Sequence, residues 1–287
     1  MNKTSVVKTG QKREVWRRLK RNRAAVTGGV ILLVFLVVSL LGPLIAPYPA
    51  NEGDLTKRLE APSRAHLLGT DALGRDLLSR VICGARISLE IQIAAVMIAL
   101  IIGTIIGMIG GYYGGAIDHT IMRVMDILLA FPGIFLAIAI VAVLGTGLTN
   151  LIFAAGIYSI PQFARVVRGS VITLKEREFV EAARVAGETD TNILARYILP
   201  NSMAPLIVQT TLRMATVLLT ASGLSFLGLG VQPPAPEWGA MLSNSRDYLV
   251  TAPHAAIVPG FAIMLVVMGF NLFGDGLRDS LDPRLRD

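Results

Sequence analysis

Ionisable side chains are scarce inside the apolar stretches of this sequence of 287 residues. Glu90, Arg123, Asp126 and Arg213 are the exceptions. Ionisable groups at membrane depth usually mark a substrate or ion pathway, so Glu90, Arg123 and Asp126 are candidate pathway or gating residues. Arg123 and Asp126 are three residues apart, a spacing at which they can pair on one helix face. Glu90 lies near the end of its stretch, which weakens a direct substrate contact.

Residue patterns that would support other chemistry are missing from the sequence. It contains no G-x-x-x-x-G-K-[ST] loop, so the chain does not cradle nucleotide phosphates in that way. The single cysteine and the three histidines fall in separate segments, which gives no disulfide framework and no clustered metal site. No paired carboxylates or serine with a nearby base share a helix face. We therefore expect a non-enzymatic chain that binds no cofactor or metal of its own.

Composition points to a membrane protein. The chain is 53% hydrophobic and 16% charged, with a mean hydropathy of +0.60, against about 45–50% apolar and about 25% charged for soluble domains. A net charge of +7 raises the question of nucleic acid. The basic residues flank apolar blocks, as topology signals do, so we expect a lipid bilayer and no nucleic acid as partner.

Six apolar stretches approach the roughly 20 residues that a membrane-spanning helix needs. They cover residues 24–46, 87–110, 121–144, 148–167, 203–229 and 255–273. The predicted fold is all-α with about six transmembrane helices, the last five forming a core domain over 87–273. Pro132 interrupts the third span, as a simple kink or as part of a transporter binding site. Gly103, Gly107 and Gly111 form a smooth stripe that favours close helix packing over a pore lining.

The distribution of lysine and arginine predicts the orientation. Segment 1–23 carries nine basic residues, and the segments on its side of the membrane carry 18 in total, against 7 on the other side. The positive-inside rule places both termini, including the tail 274–287, in the cytoplasm. Segment 47–86 is then an extracytoplasmic loop that ends in a short amphipathic helix from Ala72, capped by Thr70 or Asp71.

Residues 174–197 are too polar to span a membrane but are rich in helix formers. They predict a helix pair outside the bilayer, with Gly187 ending the first helix and Asp190 or Thr191 capping the second, which ends at Pro200. One face of the first helix carries small and apolar side chains: Phe179, Ala182, Ala183 and Ala186. Such a face suits docking against a protein, and an amphipathic hairpin resting on lipid headgroups is the alternative.

The sequence E-A-A-R-V-A-G at 181–187 is similar to the EAA motif of ABC importer permeases. In that family the loop forms a coupling helix that docks on the ATPase subunit. The resemblance implies a coupling loop over 168–202, with Glu181, Ala182, Ala183 and Gly187 at the contact and Pro200 setting its bend with Gly187.

Further motifs resemble the dipeptide, oligopeptide and nickel branch of these permeases. They are G-T-D-A-L-G-R-D-L-L-S-R at 69–80, G-A-R-I-S-L at 84–89, L-S-F-L-G-L-G at 224–230, P-E-W-G-A-M-L at 236–242 and F-N-L-F-G-D-G-L-R-D-S-L-D-P at 270–283. The resemblance implies a type I importer permease in a bacterial or archaeal inner membrane that moves dipeptides or oligopeptides inward. Nickel chelates or glutathione are alternative substrates.

The same resemblance implies the partners. They are a homologous second permease, two ATP-binding subunits that use ATP and Mg, an extracytoplasmic substrate-binding protein and the peptide. A secondary transporter driven by an ion gradient is the main rival, and it predicts ionisable relays deep in several spans. An intramembrane enzyme or a purely structural subunit fits the sequence less well.

Overall fold

The computed structural model describes Glu14 and residues 16–281, and its named elements are helices. In chain order these are α1 (Arg23–Ile45), α2 (Leu77–Tyr113), α3 (Gly115–Ala130), α4 (Gly133–Leu144), α5 (Leu148–Lys175), α6 (Glu178–Val185), α7 (190–201), α8 (Met203–Phe226), α9 (Trp238–Ser245) and α10 (His254–Leu281). Short 3₁₀ turns cover Leu55–Lys57 and Arg246–Tyr248. The predictions for 1–23 and 274–287 fall partly outside the described residues.

Four helices, α1, α2, α8 and α10, are long and apolar enough to cross a membrane. α3 and α4 qualify together as a pair bent by 94° at a break that contains Pro132. The fourth predicted span, 148–167, lies in α5, which has 28 residues but carries Arg165, Arg168 and Lys175 in its second half. It is not apolar enough for the same criterion. The all-α membrane fold is confirmed, with five of the six spans supported by length and apolarity.

The predicted amphipathic helix before span two is not a separate element. α2 runs without a break from Leu77, and neither predicted residue caps it. Its N-cap is Asp76, whose Oδ2 accepts a hydrogen bond from the Ser79 amide at 2.8 Å. Asp71 instead closes the preceding turn, where Gly74 has a φ of +69°. Because that left-handed residue interrupts the helical pattern, the helix cannot start at Ala72.

The glycine stripe on α2 packs against α5, as predicted. A Cβ at Gly103 would lie 2.6 Å from the Phe163 Cβ, and one at Gly107 would lie 2.5 Å from the Ala164 carbonyl oxygen. A Cβ at Gly111 would lie 2.8 Å from the Val171 Cβ. The two backbones therefore approach closely along most of their shared length, which makes α2 and α5 the centre of the bundle.

The remaining long helices assemble around this pair in the same manner. α1 packs on α10, where a Cβ at Gly28 would lie 2.6 Å from the Phe273 amide nitrogen. At the end of the bundle where α2 begins, segment 46–76 and α9 fold over the start of this helix. The Trp238 indole donates a hydrogen bond there to the Val81 carbonyl at 3.0 Å. We call this the loop end, and the end that carries α6 and α7 the hairpin end.

Candidate functional site

The hairpin formed by α6 and α7 lies at the C-terminal ends of α2 and α5. α6 begins after Arg177, its extended N-cap residue, and turns Val180 and Ala183 into the core. Val180 is fully buried and Ala183 is 5% exposed. These two apolar anchors, one turn apart, fix the helix on the bundle.

Gly187 ends α6 as predicted, with a φ of +80°. Its amide donates to the Arg184 carbonyl at 3.1 Å, and the following amide of Glu188 donates to the Ala183 carbonyl at 3.1 Å. This pair of bonds is a Schellman motif, which places a left-handed residue directly after the helix. The turn therefore requires the glycine for its backbone conformation.

The second helix of the hairpin differs from the prediction at both ends. Thr189 is its N-cap, and its hydroxyl accepts from the Asn192 amide at 3.4 Å, so neither Asp190 nor Thr191 has that role. The cap moves because the chain leaves the Gly187 turn with Thr189 already extended.

Pro200 does not end the helix, which continues to Asn201. α7 is π-helical over Ile193–Ile198, between short α-helical pieces at Asp190–Asn192 and Leu199–Asn201. A proline ring clashes with the carbonyl four residues earlier in a regular α-helix. The wider π turn just before Pro200 accommodates the ring, so the helix ends one residue after the predicted position.

The exposed face of α6 differs by one residue from the predicted face. Phe179, Ala182 and Ala186 of the predicted face are exposed, and Ala183 is the one that is buried. Glu178, Glu181, Arg184 and Val185 are exposed beside them, and Val185 is 85% exposed. Ala183 is buried beneath the helix, so it supports the face without being available for contact. α6 therefore presents small and apolar side chains together with charged ones of both signs to the surroundings.

Tyr112 links the hairpin to the end of α2, a role that the sequence did not reveal. Its hydroxyl donates to Asp190 Oδ1 at 2.7 Å, and the Arg184 guanidinium lies 5.9 Å from its ring centroid. Lys175 Nζ donates to the Gly111 carbonyl at 2.9 Å, which satisfies one terminal carbonyl of α2. The only sequence signal was an aromatic residue at the end of an apolar span.

A bidentate ion pair joins α3 to α5 near the same end. Arg168 Nε and Nη2 donate to Asp118 Oδ1 and Oδ2, each at 2.5 Å. The Asp118 side chain is 13% exposed and that of Arg168 34% exposed. Two parallel bonds between a guanidinium and a carboxylate fix direction as well as distance. α3 is therefore held in register with the helix that leads into the hairpin.

The candidate pathway residues do not form one cluster. Asp126 pairs with Arg165 at 2.5 Å and not with Arg123, so the predicted pairing on one helix face is wrong. An arginine on the facing helix α5 is the nearer cation. Glu90 is exposed on α2. It lies 17 residues from Gly107, which packs beside Ala164, or about 25 Å along the helix.

Comparison with known proteins identifies the family. Residues 86–287 match the family model described as "Binding-protein-dependent transport system inner membrane component", and residues 10–62 match "N-terminal TM domain of oligopeptide transport permease C". The chain belongs to this family of binding-protein-dependent permeases. This family agrees with the one that the EAA resemblance at 181–187 implied.

Similar permeases include the glutathione transport system permease protein GsiD of Shigella flexneri serotype 5b, 50% identical over all of this chain and 96% of the relative. The protein of the same name from Pectobacterium atrosepticum is 49% identical over 96% of this chain and 91% of the relative. The resemblance therefore extends along nearly the whole permease.

Solved structures support the permease fold. A structure titled as an inward-facing conformation of the MetNI methionine ABC transporter covers 72% of this chain and 98% of its own, with a TM-score of 0.56 and 19% identity. An amino acid ABC transporter covers 70% of this chain and 94% of its own, with a TM-score of 0.54 and 15% identity. The helical core shared with ABC importers confirms the predicted fold class.

Proposed function

We propose that this permease imports short peptides, glutathione among them, together with a second homologous permease and two ATPase subunits that bind ATP and Mg. An extracytoplasmic binding protein delivers the peptide. The observation that carries this proposal is the α6–α7 hairpin, which is anchored on its inner side by Val180 and Ala183 and presents an exposed face with small side chains on its outer side.

The hairpin has the properties that a coupling joint requires. Closure of an ATPase outside the bilayer moves membrane helices only if a rigid element makes different contacts in the two states. Val180 and Ala183 bury one side of α6, while Ala182 and Val185 on the other side allow close approach at little entropic cost. The exposed residues of α6 carry both signs of charge, Glu178 and Glu181 beside Arg184, so they do not form the basic cluster that an anionic lipid surface attracts.

Charge asymmetry supports a cytoplasmic hairpin end. The segments assigned to that side carry 18 lysines and arginines, against 7 in the segments assigned to the other side. The loop end, with segment 46–76 and α9, is then available to the binding protein. Both termini are cytoplasmic in this arrangement, and the protein spans the inner membrane several times.

The substrate class follows from the relatives. Two permeases at about half identity over nearly full length carry the name of glutathione transport proteins, and glutathione is itself a tripeptide. The match of residues 10–62 to an oligopeptide permease domain supports the same class. Peptides with a free carboxylate are therefore the substrates to test before nickel chelates.

The coupling assignment is tested by Glu181→Lys in the complete complex. The substitution reverses a charge at the centre of the exposed face without touching the buried side of α6. We expect loss of co-purifying ATPase subunits and of ATP hydrolysis stimulated by the loaded binding protein. Glu52→Lys is the matched control, because Glu52 is an exposed glutamate at the loop end and its reversal leaves ATPase co-purification unchanged.

Glutathione uptake into proteoliposomes tests the substrate. In this assay the vesicle lumen takes the place of the cytoplasm. Uptake that requires ATP in the lumen and the binding protein outside the vesicle supports the proposal. A complex whose ATPase activity responds to its binding protein but which takes up neither glutathione nor dipeptides would leave the coupling role intact and remove the peptide assignment.

A further inference from the structure

Arg213 lies near the middle of α8, ten residues after the helix begins at Met203. It is partly exposed, and within the described residues no carboxylate lies within 4.0 Å of its guanidinium. An unneutralised arginine facing hydrocarbon is strongly unfavourable, so intramembrane arginines face a polar cavity or a partner group. The residues around Arg213 therefore indicate whether the exposed side of α8 faces hydrocarbon or a polar cavity.

A polar face continues from Arg213 along α8. Gln209, Arg213, Thr216 and Thr220 follow one another at intervals of four, three and four residues, and each is partly exposed. This spacing places them on one side of the helix. The opposite side is apolar and packed, with Leu218 and Ala221 each 1% exposed. A membrane-spanning helix with one polar face is typical of a transport pathway.

α5 carries a second polar face that meets the first. Tyr158, Gln162 and Arg165 repeat at intervals of four and three residues and are also partly or fully exposed. Tyr158 and Arg213 lie beside each other where the two helices pack. Arg165 is neutralised by Asp126 at 2.5 Å. At the contact of the two faces, the positive charge of Arg213 is left without a counter-ion.

The break between α3 and α4 lies at the same level of the bundle. A Cβ at Gly133 would lie 2.1 Å from the nearest Tyr158 ring atom, so the tyrosine ring packs directly on the backbone that follows Pro132. Tyr158 is thereby wedged in place, with its hydroxyl beside Arg213. The guanidinium is oriented by a neutral phenol, which leaves its charge available to an anion.

We propose that Arg213 binds a carboxylate of the peptide as it passes through the permease, with Tyr158 orienting the guanidinium. A guanidinium matches the two oxygens of a carboxylate by paired, charge-assisted hydrogen bonds. The exposed side of α8 is the side from which the substrate approaches. This inference rests on the proposed peptide substrate and adds to it the group by which the peptide is held inside the membrane.

The test uses the complete complex in proteoliposomes. It compares import of glutathione with import of its diamide, in which uncharged amides replace both carboxylates. Arg213→Gln is expected to slow glutathione import by about tenfold or more, the value of a charge-assisted contact, and to leave diamide import nearly unchanged. The quantity compared between variants is the ratio of glutathione import to diamide import. The binding protein is the same in every sample, so its own preference between the two substrates does not change this ratio from one variant to another. Arg278→Gln, the same exchange at an exposed site in the last turn of α10, keeps the wild-type ratio.

Arg213→Lys separates charge from structure. It keeps the positive charge, so we expect glutathione import between that of wild type and that of Arg213→Gln. Equal loss with both substrates, or equal loss in the lysine and glutamine variants, would show a structural role or an ion pair with the second permease and overturn the proposal. Wild-type complex that imports no peptide at all removes the proposed substrate, and the Arg213 assignment with it.

Discussion

The turn at Gly187 gives a quantitative prediction about coupling. Among the described residues, no atom lies within 4 Å of a Cβ built on Gly187, so a side chain there meets no clash inside the permease. The whole penalty of substitution is then conformational, because φ is +80°. A non-glycine residue in this region costs about 1–2 kcal/mol, least for asparagine and most for a β-branched residue. We assign about 1 kcal/mol to Gly187→Ala and about 2 kcal/mol to Gly187→Val.

Each 1.4 kcal/mol is a factor of ten, so the equilibrium constant between the native turn and other conformations falls by roughly fivefold and thirtyfold in these two variants. The assay is ATP hydrolysis stimulated by the loaded binding protein, measured on complexes of equal assembly. We expect activity to fall in the order wild type, Gly187→Asn, Gly187→Ala, Gly187→Val. Gly169→Ala is the matched control, since this helical glycine also meets nothing within 4 Å but lacks a positive φ. Full stimulation in an assembled Gly187→Val complex would refute the reasoning.

Three further predictions concern the stability of the permease, two at the packing of α5 against α2 and α3 and one at Glu237, the N-cap residue of α9 at the loop end. Gly107→Ala places a methyl group 2.5 Å from the Ala164 carbonyl oxygen and is expected to destabilise the permease by about 1–3 kcal/mol, visible as a lower melting temperature in detergent; no shift would contradict close packing. Asp118→Asn leaves Arg168 half-paired and is expected to cost about 1–3 kcal/mol, whereas unchanged protease resistance of α3 would show that the ion pair is dispensable. Burial raises the pKa of Glu237 above its ordinary value of 4.5 despite hydrogen bonds from two amides. The folded state then holds the proton more tightly than the unfolded state, so the free energy of unfolding falls as pH rises above about 4.5. Glu237→Gln should flatten that part of the curve of stability against pH.

Local signals predicted the hairpin well because its geometry is set by neighbouring residues. A glycine after an alanine-rich helix predicts a left-handed turn, and Gly187 has that conformation. The N-cap of α7 was harder to predict, since Thr189, Asp190 and Thr191 are all good caps and only the exit direction of the turn selects the first. Pro200 misled the boundary because the π turn that accommodates it has no sequence signature of its own.

Long-range pairing explains the other differences. Asp126 has a cation three residues away in sequence, yet it pairs with Arg165, 39 residues away, across the interface of α3 and α5. Helical periodicity describes only the neighbours on one helix, so it could not choose between the two arginines. The link between Tyr112 and Asp190, 78 residues apart, was hidden for the same reason.

The rigid and bent parts of the bundle together suggest how motion at the hairpin reaches the substrate. Tyr112 joins the hairpin to the end of α2, and Lys175 at the end of α5 donates to the same end of α2. The glycine stripe holds α2 and α5 in close contact. α2 is 37 residues long and unbroken, so it carries a displacement from the hairpin end to the loop end as a rod. α3 and α4 differ, because their 94° break at Pro132 separates two short helices that can change angle independently. Tyr158 on α5 packs against this break and lies beside Arg213. A shift of α5 against α4 would therefore alter the position of the guanidinium, which links release of a bound carboxylate to the same movement that closes the ATPases.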